Sequence, residues 1–313
     1  MRIMITGASG LLGLTLALEA AKQHTIIGIT KTQKLTTKAF RVIPCDLLAP
    51  GAVEDLLDKT RPEWVIHCAA LANVDACEAN PTLAERLNTW LPKKLAYHVA
   101  RGGARLVFIS TDAVFDGQRG DYTEKDTPSP LSVYARTKWR GEQAVAEVNP
   151  EAIITRVNFY GWSLTRKRSL AEFFFYNLSN GNTIPGFRDI YFCPLLVNNL
   201  AKILLNMLEK NLYGLFHVVA KEAISKYDFG VKLARIFGLD ENLIVQSTSL
   251  DANLLALRSP KLTLCTDKLA GALGYYPQDI DEGLKEFYLQ HQRGYPEQIY
   301  TMSKDDDLSR SIK

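Results

Sequence analysis

The chain opens Met1-Arg2-Ile3-Met4-Ile5-Thr6-Gly7-Ala8-Ser9-Gly10-Leu11-Leu12-Gly13, and the order of residue types in this stretch decides the fold. A short apolar run ends at Gly7, passes glycines spaced G-x-x-G-x-x-G, and resumes at Leu11 as an apolar segment of helical length. Strand, glycine turn and helix in that order let a backbone approach a dinucleotide. One glycine turns the chain with no Cβ in the way, another admits a pyrophosphate, and a third lets helix and strand pack closely. The N–H groups of the first helical turn then face the phosphates, where their donors and the macrodipole favour an anion without a lysine. Gly7, Ser9, Gly10, Leu11, Leu12 and Gly13 are therefore expected to bind a cofactor.

Outward from this turn, short apolar runs alternate with helical patterns: Leu11 to Gln23, Thr25 to Thr30, Val53 to Lys59, Trp64 to Cys68, Pro81 to Arg101 and Arg105 to Ser110. Such alternation builds βαβ units and a parallel sheet. Trp64-Val65-Ile66-His67 and Leu106-Val107-Phe108-Ile109 are apolar at nearly every position, as strands covered on both faces must be. The expected fold class is α/β, a doubly wound parallel (Rossmann) sheet with a smaller C-terminal substrate domain. Beyond Ile153-Ile154-Thr155-Arg156 the pattern loosens, with turn punctuation at Gly181-Asn182, Pro185-Gly186 and Pro194. A late strand (Leu215 to Val219) and two helical stretches (Lys226 to Phe237, Thr266 to Leu273) follow. Residues 1–160 are assigned to the Rossmann domain, rejoined by about 189–220, and 161–300 to the substrate-binding region. The polar tail 301–313, without aromatics from Met302 on, is expected to be flexible.

The second strand ends Thr30-Lys31-Thr32-Gln33-Lys34, with no acid where an NAD-selective site would hold the ribose 2′-hydroxyl. The Thr30 hydroxyl and Lys31 ammonium suit a 2′-phosphate, which a cation attracts and a carboxylate repels, so NADP(H) is favoured over NAD(H). Cys45-Asp46-Leu47 closes the third strand, and Asp46 either accepts from the adenine amino group or caps the following helix.

The segment from Pro128 to Glu142 reads as a helix entered after prolines and capped by Ser132. Tyr134 and Lys138 then lie one turn apart on one face, where an ammonium beside a phenol would pull the phenol toward its ionised form and make a general acid/base. The preceding apolar strand carries Thr111 to the C-terminal edge of the sheet, where ligands of open α/β sheets bind. There its hydroxyl can stabilise negative charge developing on a carbonyl oxygen.

At these residues the chain resembles the extended short-chain dehydrogenase/reductase superfamily, and within it the dTDP-4-dehydrorhamnose reductase group, over nearly its whole length. Gly7 to Gly13 looks like the family's cofactor turn, and His67-Cys68-Ala69-Ala70 followed by Asn73-Val74-Asp75-Ala76-Cys77-Glu78 looks like its fourth-strand signature. Asn88 matches the superfamily's helix asparagine, Ser110-Thr111-Asp112-Ala113-Val114-Phe115-Asp116-Gly117 resembles the motif with the catalytic Thr, and Tyr134 with Lys138 matches Y-x-x-x-K. Arg156-Val157-Asn158-Phe159-Tyr160-Gly161-Trp162 resembles the loop bordering the nicotinamide. The resemblance implies an NADP(H)-dependent reductase of a keto group on a nucleotide-activated sugar, with Thr111, Tyr134 and Lys138 catalytic. It also implies Leu47, Cys68, Ala69, Ala70, Asn88, Val157, Tyr134 and Lys138 at the cofactor, beside those named above. Ala113, where the group commonly has an aromatic residue, and Asn158-Phe159, in place of a serine-containing loop, depart from its pattern next to the expected pocket. Arg166, Lys167, Arg168, Arg188 and Arg258 are cations that could reach a nucleotide diphosphate.

Composition narrows the alternatives. The 37 Lys and Arg against 34 Asp and Glu leave a charge of +3 without a basic stripe, so nucleic acid is not the expected partner. No apolar run approaches the roughly 18 residues of a membrane span, and a cytoplasmic protein, with a homodimer admissible, is expected. Five cysteines, unpaired in number and widely spaced, read as reduced interior thiols, and no metal site is expected. Thr111 is followed by Asp112-Ala113 rather than Asp-Glu, which argues against a dehydratase. A sugar-nucleotide epimerase and a non-catalytic subunit remain the alternatives. The latter is prompted by the regulatory subunit of methionine adenosyltransferase, which resembles the same reductase group.

Overall fold

The structure, a computed structural model, describes residues 1–249 and 259–303. Its first half comprises β1 (Arg2–Thr6), α1 (Leu11–Ala20), β2 (Thr25–Thr30), β3 (Arg41–Pro44), α2 (Ala52–Thr60), β4 (Trp64–His67), α3 (Val74–Ala79), α4 (Pro81–Glu85), α5 (Leu91–Arg101), β5 (Arg105–Thr111), α6 (Val133–Val148) and β6 (Ile153–Val157). There follow β7 (Phe159–Tyr160), α7 (Leu170–Ser179), β8 (Ile184–Phe187), β9 (Tyr191–Phe192), β10 (Leu195–Leu196), α8 (Val197–Glu209) and β11 (Gly214–Val218). The last elements are β12 (Ile224–Ser225), α9 (Lys226–Phe237), β13 (Ile244–Ser247), β14 (Lys261–Leu262), α10 (Asp267–Leu273), α11 (Ile280–Gln292) and α12 (Tyr295–Thr301).

Seven parallel strands form the main sheet in the order β11-β6-β5-β4-β1-β2-β3, the doubly wound arrangement expected from the sequence. Strand order reverses between β1 and β4, so their C-terminal ends open the crevice in which such sheets bind ligands. Successive residues of β1 serve opposite faces: Ile3 and Ile5 pack into the layer of α1 and α8, Met4 into the layer of α2, α5 and α6. Burial on both faces is why these strands read as continuous apolar runs rather than as alternations.

The remaining elements gather around short strand sets, β12-β9-β14 and β13-β8, and around an aromatic cluster. Trp162 stacks on Phe287 with centroids 3.9 Å apart, and Phe175 meets the Trp162 ring edge-on at 5.2 Å. Among the described residues no helix is long and apolar enough to cross a membrane. All five cysteines are free; Cys77 and Cys193 are buried, whereas Cys45, Cys68 and Cys265 are only partly so.

Two sequence expectations change. The helix read over Pro81 to Arg101 is interrupted by one wide turn at Arg86–Trp90, closed by Leu91 N donating to Arg86 O. Pro92 has no N–H for the Asn88 carbonyl, so the regular ladder cannot continue through this point. Helices α7 and α11 were not legible. Phe173 to Tyr176 leave α7 without a polar stripe, and α11 carries Gly283 internally because a Cβ there would stand 2.5 Å from the Tyr160 hydroxyl. Of the tail, Thr301, Met302 and Ser303 lie within the described residues; Thr301 ends α12 and Met302 O accepts from Thr36 N, while 304–313 lie outside the described residues.

Candidate active site

Ser132 caps α6 by accepting from Ala135 N at 3.2 Å, as its position in the sequence suggested. That cap sets where the helix begins and so aims its first turn at the end of β5. Thr111 closes β5 in register with Val157, the last residue of β6. Its Oγ1 accepts from Ala113 N at 3.2 Å and donates to Asp112 Oδ1 at 3.1 Å, and the Thr111 hydroxyl acts on the Tyr134 phenol against the effect of burial. One turn beyond Tyr134, Lys138 is 2% exposed, donates from Nζ to Ile109 O at 2.6 Å and stands 4.1 Å from the Phe108 ring centroid. Strand end and helix start thus bring Thr111, Tyr134 and Lys138 together.

The electrostatics correct one expectation. Burial pushes the Tyr134 phenol up to about 12, with Asp112 adding repulsion, rather than toward neutrality. Burial likewise lowers the Lys138 ammonium to about 7, partly offset by Glu142. Desolvation disfavours whichever form is charged, and here it outweighs the attraction of a cation whose nearest polar contact is a backbone carbonyl. Asp112 is buried too, and its carboxyl rises to about 6 although Asn158 Nδ2 donates to Oδ2 at 2.6 Å. A pocket of about 110 Å³ opens on Tyr134, lined also by Ala113, Leu131, Asn158, Tyr191 and Lys226 among others. The two departures from the family pattern, Ala113 and Asn158, therefore both face it.

A second cavity, of about 270 Å³, runs along the glycine turn. Gly7, Ser9, Gly10, Thr30, Lys31, Asp46, Leu47, Cys68, Ala69 and Ala70 line it, joined by Thr32, Gln33 and Arg168. Its backbone fits a dinucleotide. Gly7 has φ +68°, and a Cβ there would sit 2.8 Å from Ala69 N; one on Gly13 would sit 2.2 Å from Gly7 O. The N-cap of α1, Gly10, offers no side chain to the first-turn N–H groups, which leaves them for an anion.

Other expected cofactor residues stand elsewhere. Leu11 and Leu12 are buried in the core. Asn88 is fully buried, with Oδ1 accepting from Leu71 N at 3.0 Å and Nδ2 donating to Leu71 O and Thr137 Oγ1 at 3.1 Å each, so it ties the β4–α3 loop to α6. Lys31 is not a free cation: its Nζ is 2.9 Å from Asp46 Oδ2. Asp46 does not cap α2, whose N-cap is Gly51; its Oδ1 accepts from Leu48 N within a turn, and these bonds lower its carboxyl.

Of the five cations considered for a nucleotide diphosphate, Arg168 lies on the second cavity rather than beside Tyr134. Arg166 lies over the Tyr300 ring at 4.1 Å, Lys167 and Arg188 are exposed, and Arg258 falls outside the described residues. The cation that lines the same pocket as Tyr134 is Lys226, which sequence reading passed over.

Sequence reading also missed a buried polar row. Ser110, Arg156 and His217 occupy matching positions on β5, β6 and β11. Glu142 reaches down from α6, one turn past Lys138, and receives Arg156 Nε at 3.0 Å, Arg156 Nη2 at 2.7 Å and Ser110 Oγ at 2.5 Å. An arginine inside an otherwise apolar strand, Ile153-Ile154-Thr155-Arg156-Val157, was the signal available.

The family model described as "RmlD substrate binding domain" matches residues 1–293. The chain belongs to this family. Over 289 residues it is 33% identical to "Probable low-salt glycan biosynthesis reductase Agl14" of Haloferax volcanii, covering 91% of this chain and 96% of that protein. It is 32% identical over 272 residues to mouse methionine adenosyltransferase 2 subunit beta, covering 83% of this chain and 78% of that one. The crystal structure of Bacillus anthracis dTDP-4-dehydrorhamnose reductase in complex with NADP is similar at TM-score 0.80 and 25% identity, over 92% of this chain and 99% of that one. With its Rossmann sheet and reductase relatives, this RmlD-family chain is an NAD(P)-dependent oxidoreductase of the extended short-chain dehydrogenase/reductase type.

Proposed function

We propose that the chain reduces a keto group on a nucleotide-activated sugar with NADP(H) as hydride donor. The observation that carries this reading is the place of Tyr134. It lines the pocket with Asn158 and Lys226, its phenol is acted on by the Thr111 hydroxyl at the end of β5, and Lys138 lies one helical turn from it. Gly7, Ser9, Gly10, Thr30, Asp46, Leu47, Cys68, Ala69 and Ala70 would hold the dinucleotide, whose nicotinamide supplies a hydride when bound.

The chain's own groups do the rest. Thr111 Oγ1 orients the substrate carbonyl, and Tyr134, held fully protonated by its burial, donates its proton to the oxygen as negative charge develops there. Lys138, kept close to the phenol by the helical spacing, stabilises the phenolate so formed. A phenol at about 12 is a poor acid until a cation and a developing oxyanion stand beside it, which couples proton release to a filled site. Lys226 at the pocket suits an anionic substrate portion such as a diphosphate.

The test is NADPH oxidation by the purified chain across a panel of 4-keto-6-deoxy nucleotide sugars. Steady turnover with one sugar supports the reading and names the substrate. The similarity to methionine adenosyltransferase 2 subunit beta favours a second reading, a cofactor-binding subunit without turnover. Tight NADPH binding, no turnover on the panel and co-purification with a partner in fixed stoichiometry would decide for it.

A further inference from the structure

The loop between β7 and α7 passes in front of α1: a Cβ on Gly161, at its start, would lie 3.4 Å from Leu11 Cδ1. One carboxylate fixes this loop. Glu172, in the first turn of α7 and fully buried, accepts from Ser163 N at 2.7 Å, Ser163 Oγ at 2.8 Å, Arg168 N at 2.9 Å and Ser169 N at 3.2 Å. Burial raises its carboxyl even so, which marks the donors as the reason a charged group is tolerated there. Backbone order at Arg168 is therefore set from within the protein. Its guanidinium is a different matter: the side chain is exposed, makes no hydrogen bond or ion pair to any described residue, and lines the cavity along the glycine turn.

The charges around that cavity give the loop a purpose. Its lining residues include two cations, Lys31 and Arg168, and one anion, Asp46. Lys31 and Asp46 neutralise each other at 2.9 Å, which leaves one uncompensated positive charge facing the cleft. An unpaired guanidinium on a pre-positioned backbone, with its planar fork of donors, matches a phosphate in both charge and geometry.

We propose that Arg168 is a phosphate-gripping residue of the dinucleotide cleft, reaching across from the second half of the chain to bind a phosphate of the cofactor, and so closing the β7–α7 loop over it. This rests on the reading of the cleft as the NADP(H) site, and it moves Arg168 from the substrate to the cofactor. Two phosphates offer the same chemistry, the 2′-phosphate of NADP and the diphosphate common to NADP and NAD, and the experiment separates them.

The dissociation constants of NADPH and NADH are measured by fluorescence titration on the full chain, for wild type, Arg168→Met and Arg168→Lys, at low and high salt. Loss of a charge-assisted bidentate contact weakens binding by about 10-fold or more. If Arg168 takes the 2′-phosphate, Arg168→Met loses that factor for NADPH and leaves NADH unchanged. If it takes the diphosphate, both cofactors lose it. In either case Arg168→Lys recovers part of the loss, the salt dependence of the affected cofactor flattens in Arg168→Met, and the melting temperature of the free protein does not move. Affinities for both cofactors within about twofold of wild type overturn the proposal while leaving the cofactor site intact. A wild-type chain that binds neither cofactor overturns the reading of the cleft itself, and the proposal with it.

Discussion

Replacing Glu142 by Gln removes one charge from the buried row behind Lys138 and leaves its shape. The side chains of Arg156 and Glu142 are 3% and 6% exposed, and the pair shares contacts at 2.7 and 3.0 Å. With the carboxylate gone, a guanidinium stays buried without a counter-charge, which costs about 3–5 kcal/mol. At the entropy of unfolding usual for a chain of this size, melting should fall by roughly 5–10 °C. The assay is urea and thermal unfolding followed by tryptophan fluorescence at neutral pH. A second substitution, Arg156→Met, removes the stranded charge, so the double variant should regain most of the lost stability, since apolar groups of similar volume often replace buried pairs without loss. There is a functional readout as well. Glu142 raises the Lys138 ammonium against the effect of burial, so in Glu142→Gln the pH at which Lys138 discharges should move below about 7. A single variant that loses less than about 1 kcal/mol, or a double variant less stable than the single one, would refute the view that an uncompensated charge carries the cost.

Tyr134→Phe should bind NADPH as wild type does and turn over at least about 10²-fold more slowly, checked by titration and steady-state assay; near-normal turnover removes Tyr134 from the chemistry. Asp112 has a folded pKa of about 6, above its usual 3.8, so its stabilising contribution is complete below the lower value and is lost as pH rises through the higher one. Asp112→Asn, neutral throughout, should therefore exceed wild type in stability by up to about 3 kcal/mol at pH 8, with the gap closing toward pH 4; a gap independent of pH contradicts this. Gly13→Ala would force a methyl to 2.2 Å from Gly7 O, backbone that cannot step aside, so it should destabilise the chain by at least about 1–3 kcal/mol and weaken cofactor binding, read by melting and titration.

Local order along the chain was enough to read the sheet, the glycine turn and the grouping of Thr111, Tyr134 and Lys138. Each depends on local order: continuous apolar runs mark strands covered on both faces, Gly7 to Gly13 sit between strand and helix, and Tyr134 and Lys138 meet because a helix puts i and i+4 on one face. The order of these motifs along the chain carried the reductase family, which the match over residues 1–293 bears out. Tertiary structure alone decided what the charged groups do. Lys31 reads as a free cation until folding places Asp46 at 2.9 Å, and Arg168 reads as a cation for the substrate's diphosphate until the β7–α7 segment brings it to the cavity along the glycine turn. The Tyr134 phenol rises instead of falling because desolvation is set by everything packed around it and not by the residue four positions on. Ser110, Glu142, Arg156 and His217 form a row only through strand register and the packing of α6 on the sheet. Spacing along a chain fixes which side chains share a face of one element; charge state and partnership depend on distances between elements, which only the folded chain sets.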